Sequence, residues 1–139
     1  MKDLFRIAME EYGVSEIAGI EDEERILQYF HDIGQEWVKS DEVAWCSAFL
    51  NWCAMRGGYK RSNKLDARSW LKVGKECFQP VIGDICVFWR ESPDSWKGHV
   101  GIYAGKREAS IYVLGGNQNN MVCIKPYPEH RLLCYRNIE

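Results

Sequence analysis

The sequence changes from helical to strand-like patterns near residue 83, and this change is the feature that most limits the fold. In the first part, apolar residues recur at the i, i+3, i+4 and i+7 spacing of a helix face, and glycines often stand where the pattern stops. The acidic stretch at 21–24 suits a helix N-terminus, because the helix dipole favours negative charge there. The predicted helical segments are 5–12, 26–33, 45–58 and 66–71.

The second part of the chain is rich in β-branched and aromatic residues, and Gly, Pro and Asn bound its apolar runs. The predicted strands are 83–89, 100–105, 110–116 and 121–127. Helices followed by a run of strands predict an α+β fold with an antiparallel sheet. No linker or repeat divides the 139 residues, so we expect residues 1–139 to form a single domain.

Charge is distributed unevenly along the chain. Residues 1–42 carry 12 acidic and 4 basic side chains, whereas residues 43–139 carry 8 and 14. A basic second part favours an anionic substrate, because surface charge raises the local concentration of opposite charge. Two solvated acidic helices explain the same pattern without any function. No basic run with interleaved aromatics indicates nucleic-acid binding, so we expect no nucleic-acid partner.

The start of the chain lacks the pattern of a signal peptide, because Asp3, Arg6 and Glu10 interrupt its apolar residues. No apolar run approaches the ~20 residues that a membrane span needs. We therefore expect a cytoplasmic, monomeric protein as synthesised, with its six cysteines reduced. A substrate outside the cytoplasm would then require a separate lysis or secretion system.

Three residues can supply the parts of a thiol active site, which needs an activated cysteine, a base and a group that orients the base. Cys46 falls at the start of the third predicted helix, where unpaired N–H groups favour a thiolate. His99 falls where a glycine-flanked loop enters a strand. Asn117 ends the next strand, and adjacent antiparallel strands would bring it beside the imidazole. The remaining cysteines are interpreted as packing residues: Cys53, Cys77, Cys86, Cys123 and Cys134.

Six blocks of sequence carry a wider pattern: WCSAFLNW (45–52), DARSWL (66–71), GDICVFW (83–89), GHVGIY (98–103), VLGGNQ (113–118) and RLLCYR (131–136). Together they resemble the papain-like bacterial cell-wall hydrolases of the NlpC and CHAP superfamily. A compact branch found in phage lysis modules and bacterial genomes is the most similar. The segment at 16–30 resembles the entry region of that branch, so the resemblance covers nearly the whole chain.

The resemblance implies a papain-like α+β fold with the catalytic cysteine at a helix N-terminus packed on an antiparallel sheet. The family cysteine falls on Cys46 and the family histidine on His99. The third polar residue, which varies in the superfamily among His, Asn, Gln and acidic types, falls on Asn117. The implied activity is a cysteine peptidase or amidase that hydrolyses a peptidoglycan stem peptide or cross-bridge through a thioester, without a cofactor.

Trp45, Arg68 and Trp70 are candidates for lining a substrate groove, although burial is the commoner role of a tryptophan on a short helix. A zinc site is disfavoured, because the sequence has no C-x2-C pair and no H-E-x-x-H helix. Two other functions stay open. One is a thiol-dependent acyltransferase or deamidase that acts on a protein, and the other is a non-catalytic wall-binding domain on the same scaffold.

Overall fold

The computed structural model describes residues 2–17, 19–36 and 45–139. Within these residues, α-helices precede a six-stranded antiparallel sheet, so the predicted α+β fold class is confirmed. The helices are α1 (Asp3–Met9), α2 (Ile20–Asp32) and α3 (Cys46–Gly57), with short 3-10 helices at Ala67–Lys72 and Glu129–Arg131. The strands are β1 (Lys75–Cys77), β2 (Ile85–Trp89), β3 (Gly98–Arg107), β4 (Ser110–Gln118), β5 (Met121–Pro128) and β6 (Leu132–Asn137).

The helix ends follow local chemistry. Helix α2 begins at Ile20, earlier than predicted, so that its acidic residues occupy the first turn and complement the helix dipole. Helix α3 stops because Gly58 adopts a left-handed backbone with φ 72°, a conformation that favours glycine. In the described part of the chain, no helix is long and apolar enough to cross a lipid bilayer.

Two of the strands, β1 and β6, were not predicted from the sequence. The sheet order is β1-β6-β2-β3-β4-β5, so the last strand of the chain lies between the first two. Strand β1 has only three residues. Strand β6 is half-buried along its whole length and has no clear alternation of apolar and polar residues. Its place depends on pairing with two strands far away in the sequence, which local patterns do not report.

Helix α3 forms the centre of the main core. Its residues from Cys46 to Ala54 are all buried, because α1, α2 and the sheet cover it on different sides. Gly116 of β4 allows the close approach of this helix to the sheet. A Cβ atom at Gly116 would lie 2.8 Å from both the Trp45 ring and the Phe49 Cβ. This contact fixes the N-terminal end of α3, and therefore Cys46, against the sheet.

The sheet is strongly curved. The rings of Phe88 on β2 and Tyr127 on β5 lie 5.1 Å apart, although β3 and β4 separate these strands. In a flat sheet that separation would be about 14 Å. The concave face encloses a second buried cluster, opposite the face that packs on the helices. Its buried members are Cys86, Phe88, Ile111 and Val113.

Candidate active site

Cys46 is the first residue of α3, and it is buried, with 2% of its surface exposed. Burial raises the pKa of the Cys46 thiol. The backbone N–H groups of Val100, Ser47 and Cys46 point at the sulfur, and these groups and the Arg90 guanidinium oppose that rise. Because burial prevails, the resting side chain is a protonated thiol at neutral pH. Its surroundings nevertheless place hydrogen-bond donors where negative charge on sulfur would form.

His99 is the second residue of β3 and lies directly across the ladder from Phe88. Burial lowers the pKa of His99 to about 4, and the nearby cations Arg90 and Lys125 lower it further, whereas a hydrogen bond with Gln118 acts in the opposite direction. The imidazole is therefore neutral at pH 7. A neutral imidazole is the form that accepts a proton.

Gln118 fixes which imidazole nitrogen carries the proton. Its amide nitrogen donates to the backbone oxygens of Val113, at 3.0 Å, and Cys123, at 2.7 Å. These oxygens only accept, so the amide oxygen must be the atom that faces His99 Nε2 at 2.9 Å. His99 Nε2 must then donate, and Nδ1 is left without a proton. The hydrogen-bond network thus leaves Nδ1 as the basic atom.

Gln118, the residue after Asn117, makes the hydrogen bond to the imidazole, where the sequence analysis expected Asn117. The backbone of Asn117 is left-handed, with φ 59°, and the pairing of β4 with β5 shifts register between Gly115 and Gln118. Since side chains alternate between faces along a strand, a one-residue displacement at this irregularity brings a different side chain to the site. The position next to Nε2 is therefore occupied by the Gln118 side chain.

Cys46 and His99 have neighbours in common, since Arg90 acts on both. The Val100 N–H that points at the Cys46 sulfur belongs to the residue directly after His99. The Tyr127 ring stacks on His99, with ring centroids 4.8 Å apart and an interplanar angle of 16°. Burial raises the pKa of the Tyr127 hydroxyl, and the nearby Cys46 raises it further through its negative charge. Tyr127 therefore lies near both the thiol and the imidazole.

The three predicted groove residues have other contacts. Trp45 and Trp70 are 1% and 0% exposed, so neither indole lies on a surface open to a ligand. Trp45 Nε1 donates to Glu16 at 3.0 Å, and Trp70 Nε1 donates to the Ser47 hydroxyl at 2.9 Å. These bonds satisfy buried polar groups within the fold.

Arg68 braces a loop next to the site. Its guanidinium donates to the backbone oxygens of Lys97 at 2.9 Å, Pro93 at 2.8 Å and Ser92 at 2.9 Å. Five donors in a planar fork suit such a set of oxygens. The loop leads into β3 and His99, so Arg68 supports the path of the backbone toward the histidine.

Sequence reasoning missed three residues of this site: Gln118, Tyr127 and Arg90. Gln118 stood in the VLGGNQ block, one position from the residue predicted, and only the irregular β4–β5 pairing separates the two. Tyr127 had no signal beyond the strand preference of an aromatic residue. Arg90, the residue after β2, was one of many basic residues, and its proximity to the thiol and the imidazole follows from the tertiary structure.

The described residues contain no group of three or more His, Cys, Asp or Glu side chains that could hold a metal ion. They do include a buried thiol with N–H donors at a helix start and a neutral imidazole whose Nδ1 is unprotonated. Such a set can transfer a proton from sulfur to nitrogen and use the sulfur as a nucleophile.

Comparison with known proteins gives one family. No curated protein matches the sequence. The profile described as CHAP domain matches residues 38–117, which is more than half of the chain. The match covers α3 with Cys46, the start of β3 with His99, and β4 up to the residue before Gln118. The helices and antiparallel sheet agree with the papain-like fold of this family, and the chain belongs to the CHAP domain family.

Proposed function

We propose that this protein hydrolyses an amide bond of bacterial peptidoglycan, with Cys46 as nucleophile, His99 as general base and Gln118 as the residue that orients the imidazole. Membership of the CHAP family indicates amidase or peptidase activity on peptidoglycan. The single observation that supports the residue assignment is the hydrogen-bond network of Gln118, which leaves His99 Nδ1 as the proton acceptor.

The first half of the reaction forms a thioester. His99 Nδ1 takes the thiol proton while the Cys46 sulfur attacks the carbonyl carbon of the substrate amide. The tetrahedral oxyanion is stabilised by backbone N–H groups at the start of α3, where Cys46 and Ser47 already present theirs. The C–N bond then breaks, and the Nδ1 proton goes to the leaving amine.

The second half returns the enzyme to its resting state. Nδ1 takes a proton from a water molecule, whose oxygen attacks the thioester carbonyl. The C–S bond breaks, the carboxylic acid leaves, and the sulfur regains the proton from His99. Throughout, the Nε2 proton stays on its hydrogen bond to Gln118, which stabilises the transient imidazolium without adding a negative charge.

The positive charge near the site fits a substrate that carries carboxylates. Arg90 lies close enough to act on Cys46, His99 and Tyr127, and Lys125 acts on His99. Peptide stems of the bacterial wall carry free carboxylates, and opposite charge raises their local concentration. The electrostatics of the described site therefore support a wall peptide as substrate.

The proposal is tested by incubating the purified protein with purified cell wall and measuring free amines together with fragment masses. We expect new amino groups, a gain of one water for each bond cut, and complete loss of both in Cys46→Ser. Cys134→Ser is the matched control, because Cys134 is a half-buried thiol on β6 outside the site. Its activity should equal that of the unmodified protein. Lysis by folded Cys46→Ser would refute the nucleophile assignment.

The same experiment separates the two alternatives. An acyltransferase would yield fragments joined to an added amine rather than to water, and a deamidase acting on a protein would leave the wall intact. A non-catalytic wall-binding domain would sediment with the wall and release no amines. Any of these results would overturn the proposed hydrolysis.

A further inference from the structure

We propose that Tyr127 is a positioning residue, whose ring holds the His99 imidazole in the orientation that presents Nδ1 to Cys46. This inference rests on the proposed function. It concerns the half-buried tyrosine near the end of β5, beyond the matched family region.

A single hydrogen bond does not fix an imidazole ring. The bond from Nε2 to Gln118 holds one atom at 2.9 Å but leaves the ring plane able to tilt about that contact. Rotation about χ2 of histidine is also weakly restricted, because the preferred values of this torsion angle cover a broad range. A second contact, on the face of the ring, is needed to define where Nδ1 points.

Tyr127 supplies that second contact. Its ring is nearly parallel to the imidazole, at 4.8 Å between centroids, so a tilt toward this side brings the two rings into collision. Such stacking contributes about 0.5–1.5 kcal/mol beyond burial. Together, Gln118 at one ring atom and Tyr127 on one ring face restrict both the position and the tilt of His99.

Tyr127 is itself held in place. Phe88 stacks on it at 5.1 Å with an interplanar angle of 26°, and Lys125 Nζ lies 5.6 Å from its ring centroid. A positioning side chain must have a fixed rotamer to transmit any constraint. Contacts with Phe88 and Lys125, one from another strand and one from its own, provide it.

The stack of Tyr127 on His99 does not join residues of neighbouring strands, because β4 lies between β3 and β5. The ladder places Tyr127 opposite Ile111, and Ile111 opposite Lys106, which lies seven positions along β3 from His99. In a straight strand those seven positions span about 23 Å. Only the curvature of the sheet brings the Tyr127 ring across the concave face to His99. The position of the Tyr127 ring next to His99 therefore depends on the curvature of the whole sheet.

The test compares Tyr127→Phe, which keeps the ring, with Tyr127→Leu, which removes it. With peptidoglycan fragments as substrate, we expect Tyr127→Phe to keep kcat within about threefold and Tyr127→Leu to lose about tenfold or more, with KM changed less, because misplacement of a reacting group lowers kcat. Tyr135→Leu is the matched control, since Tyr135 is a half-buried aromatic that packs on Tyr103 at 5.6 Å, in the same concave cluster.

A second measurement needs no substrate. Nitrogen-15 NMR of the His99 ring should show one neutral tautomer, protonated at Nε2, in the unmodified protein, in Tyr127→Phe and in Tyr135→Leu. In Tyr127→Leu we expect mixed tautomers or rapid exchange of the Nε2 proton. If Tyr127→Leu does not fold, Tyr127→Met replaces it, because methionine fills irregular space without an aromatic face.

The outcomes are distinguishable. A single tautomer and full kcat in folded Tyr127→Leu would overturn the positioning role while leaving the proposed function intact. An equal loss in Tyr127→Phe would assign the effect to the hydroxyl and would also overturn it. If the unmodified protein releases no amines from any wall but the tautomer still depends on the Tyr127 ring, the proposed function fails and the positioning role stands.

Discussion

At the scale of single residues, burial keeps the two titratable groups of the proposed site neutral. Burial raises the pKa of the Cys46 thiol and lowers the pKa of His99 to about 4, so both rest uncharged at neutral pH. A resting ion pair is therefore not the starting state. In the proposed mechanism, the proton moves from sulfur to Nδ1 only during attack, when the N–H groups around the sulfur can stabilise the new charge.

The first prediction concerns Gln118 and Asn117. Gln118→Leu removes the acceptor of the Nε2 proton and should lower kcat/KM by about a hundredfold. Without this acceptor, neither the Nε2-protonated tautomer nor the orientation of the imidazole is fixed. Asn117→Gly should stay within about threefold, since glycine tolerates the left-handed backbone at this position. Steady-state kinetics with wall fragments measure both. A larger loss in Asn117→Gly than in Gln118→Leu would restore Asn117 as the orienting residue.

The second prediction concerns pH and the buried imidazole. The pKa of His99 is about 4 in the folded protein, against 6.5 for a free histidine, so the unfolded chain binds the extra proton between these values. The contribution of His99 to stability is therefore complete above pH 6.5 and is lost as the pH falls toward 4. The loss amounts to roughly 3 kcal/mol, at 1.36 kcal/mol for each unit of pKa.

Urea denaturation between pH 7 and pH 4 measures this dependence. His99→Gln does not titrate, so its free energy of unfolding should fall less over the same range. Parallel pH dependences of the two proteins would show that the imidazole is not kept neutral by the fold. On the activity side, the acidic limb of kcat/KM should lie well below pH 6.5, because Nδ1 stays unprotonated there.

At the scale of elements, the site lies where the first turn of α3 meets the strands β3 and β4. Gly116 permits the approach of Trp45 and Phe49, and the Arg68 fork fixes the loop that enters β3. Each element thus carries one group to the site, and its neighbours fix its position. Of the residues predicted to line a substrate groove, Trp45 and Trp70 are buried, and Arg68 binds the backbone of the loop.

The third prediction tests the support from Arg68. Arg68→Ala removes bonds to three backbone oxygens and should destabilise the protein by about 1–3 kcal/mol. Hydrogen exchange of residues 92–97 should become faster, and kcat should fall several-fold because the loop leads directly to His99. Arg68→Lys should be intermediate, since an ammonium cannot span the three oxygens.

Lys72→Ala is the control for this prediction. Lys72 lies on the same 3-10 helix and is exposed. Its replacement should change neither the exchange of 92–97 nor the activity. If Arg68→Ala weakens substrate binding alone, with unchanged exchange in the loop, the residue contacts the substrate after all, as the sequence first indicated.

At the scale of the whole molecule, a buried carboxylate connects the helices that precede the site. Glu11 accepts hydrogen bonds from Tyr29 at 2.7 Å and from Arg25 at 2.6 and 3.0 Å. Burial alone would raise the pKa of Glu11, but these bonds outweigh it and the net pKa is lowered. Arg25 also lies 5.0 Å from the Trp52 ring of α3. The acidic N-terminal part is therefore tied to the helix that carries Cys46.

The fourth prediction is that Glu11→Ala lowers the free energy of unfolding by about 2–4 kcal/mol, because it leaves the buried Tyr29 hydroxyl and Arg25 without their acceptor. Glu10→Ala is the matched control: Glu10 is exposed and pairs with Arg6 on the surface, so its change should stay within about 0.5 kcal/mol. Chemical denaturation at pH 7 measures both.

Because the pKa of Glu11 is lowered, the stabilisation that it provides depends on pH. Its contribution to stability is present above the ordinary carboxyl value of 4.5 and is lost as the pH falls through the lowered folded value. The difference between Glu11→Ala and the unmodified protein should therefore shrink in strong acid. A difference that stays constant down to pH 2 would mean that packing, rather than the carboxylate, holds the helices together.

The sequence by itself determined the order of elements, helices before strands, and the place of Cys46 at a helix start. It also determined the family, since the blocks around Cys46 and His99 lie within the matched region. These features are local, because periodicity, turn residues and contiguous motifs involve residues that are close in the sequence. They can therefore be recognised without a structure.

The tertiary structure alone decided the insertion of β6 between β1 and β2, the hydrogen bond between Gln118 and His99, and the stack of Tyr127 on His99. Each depends on contacts between residues far apart in the sequence. A register shift changes which side chain at the end of β4 faces the site. Sheet curvature brings together side chains of strands that do not pair with each other. Those are properties of packing as a whole, which no local pattern encodes.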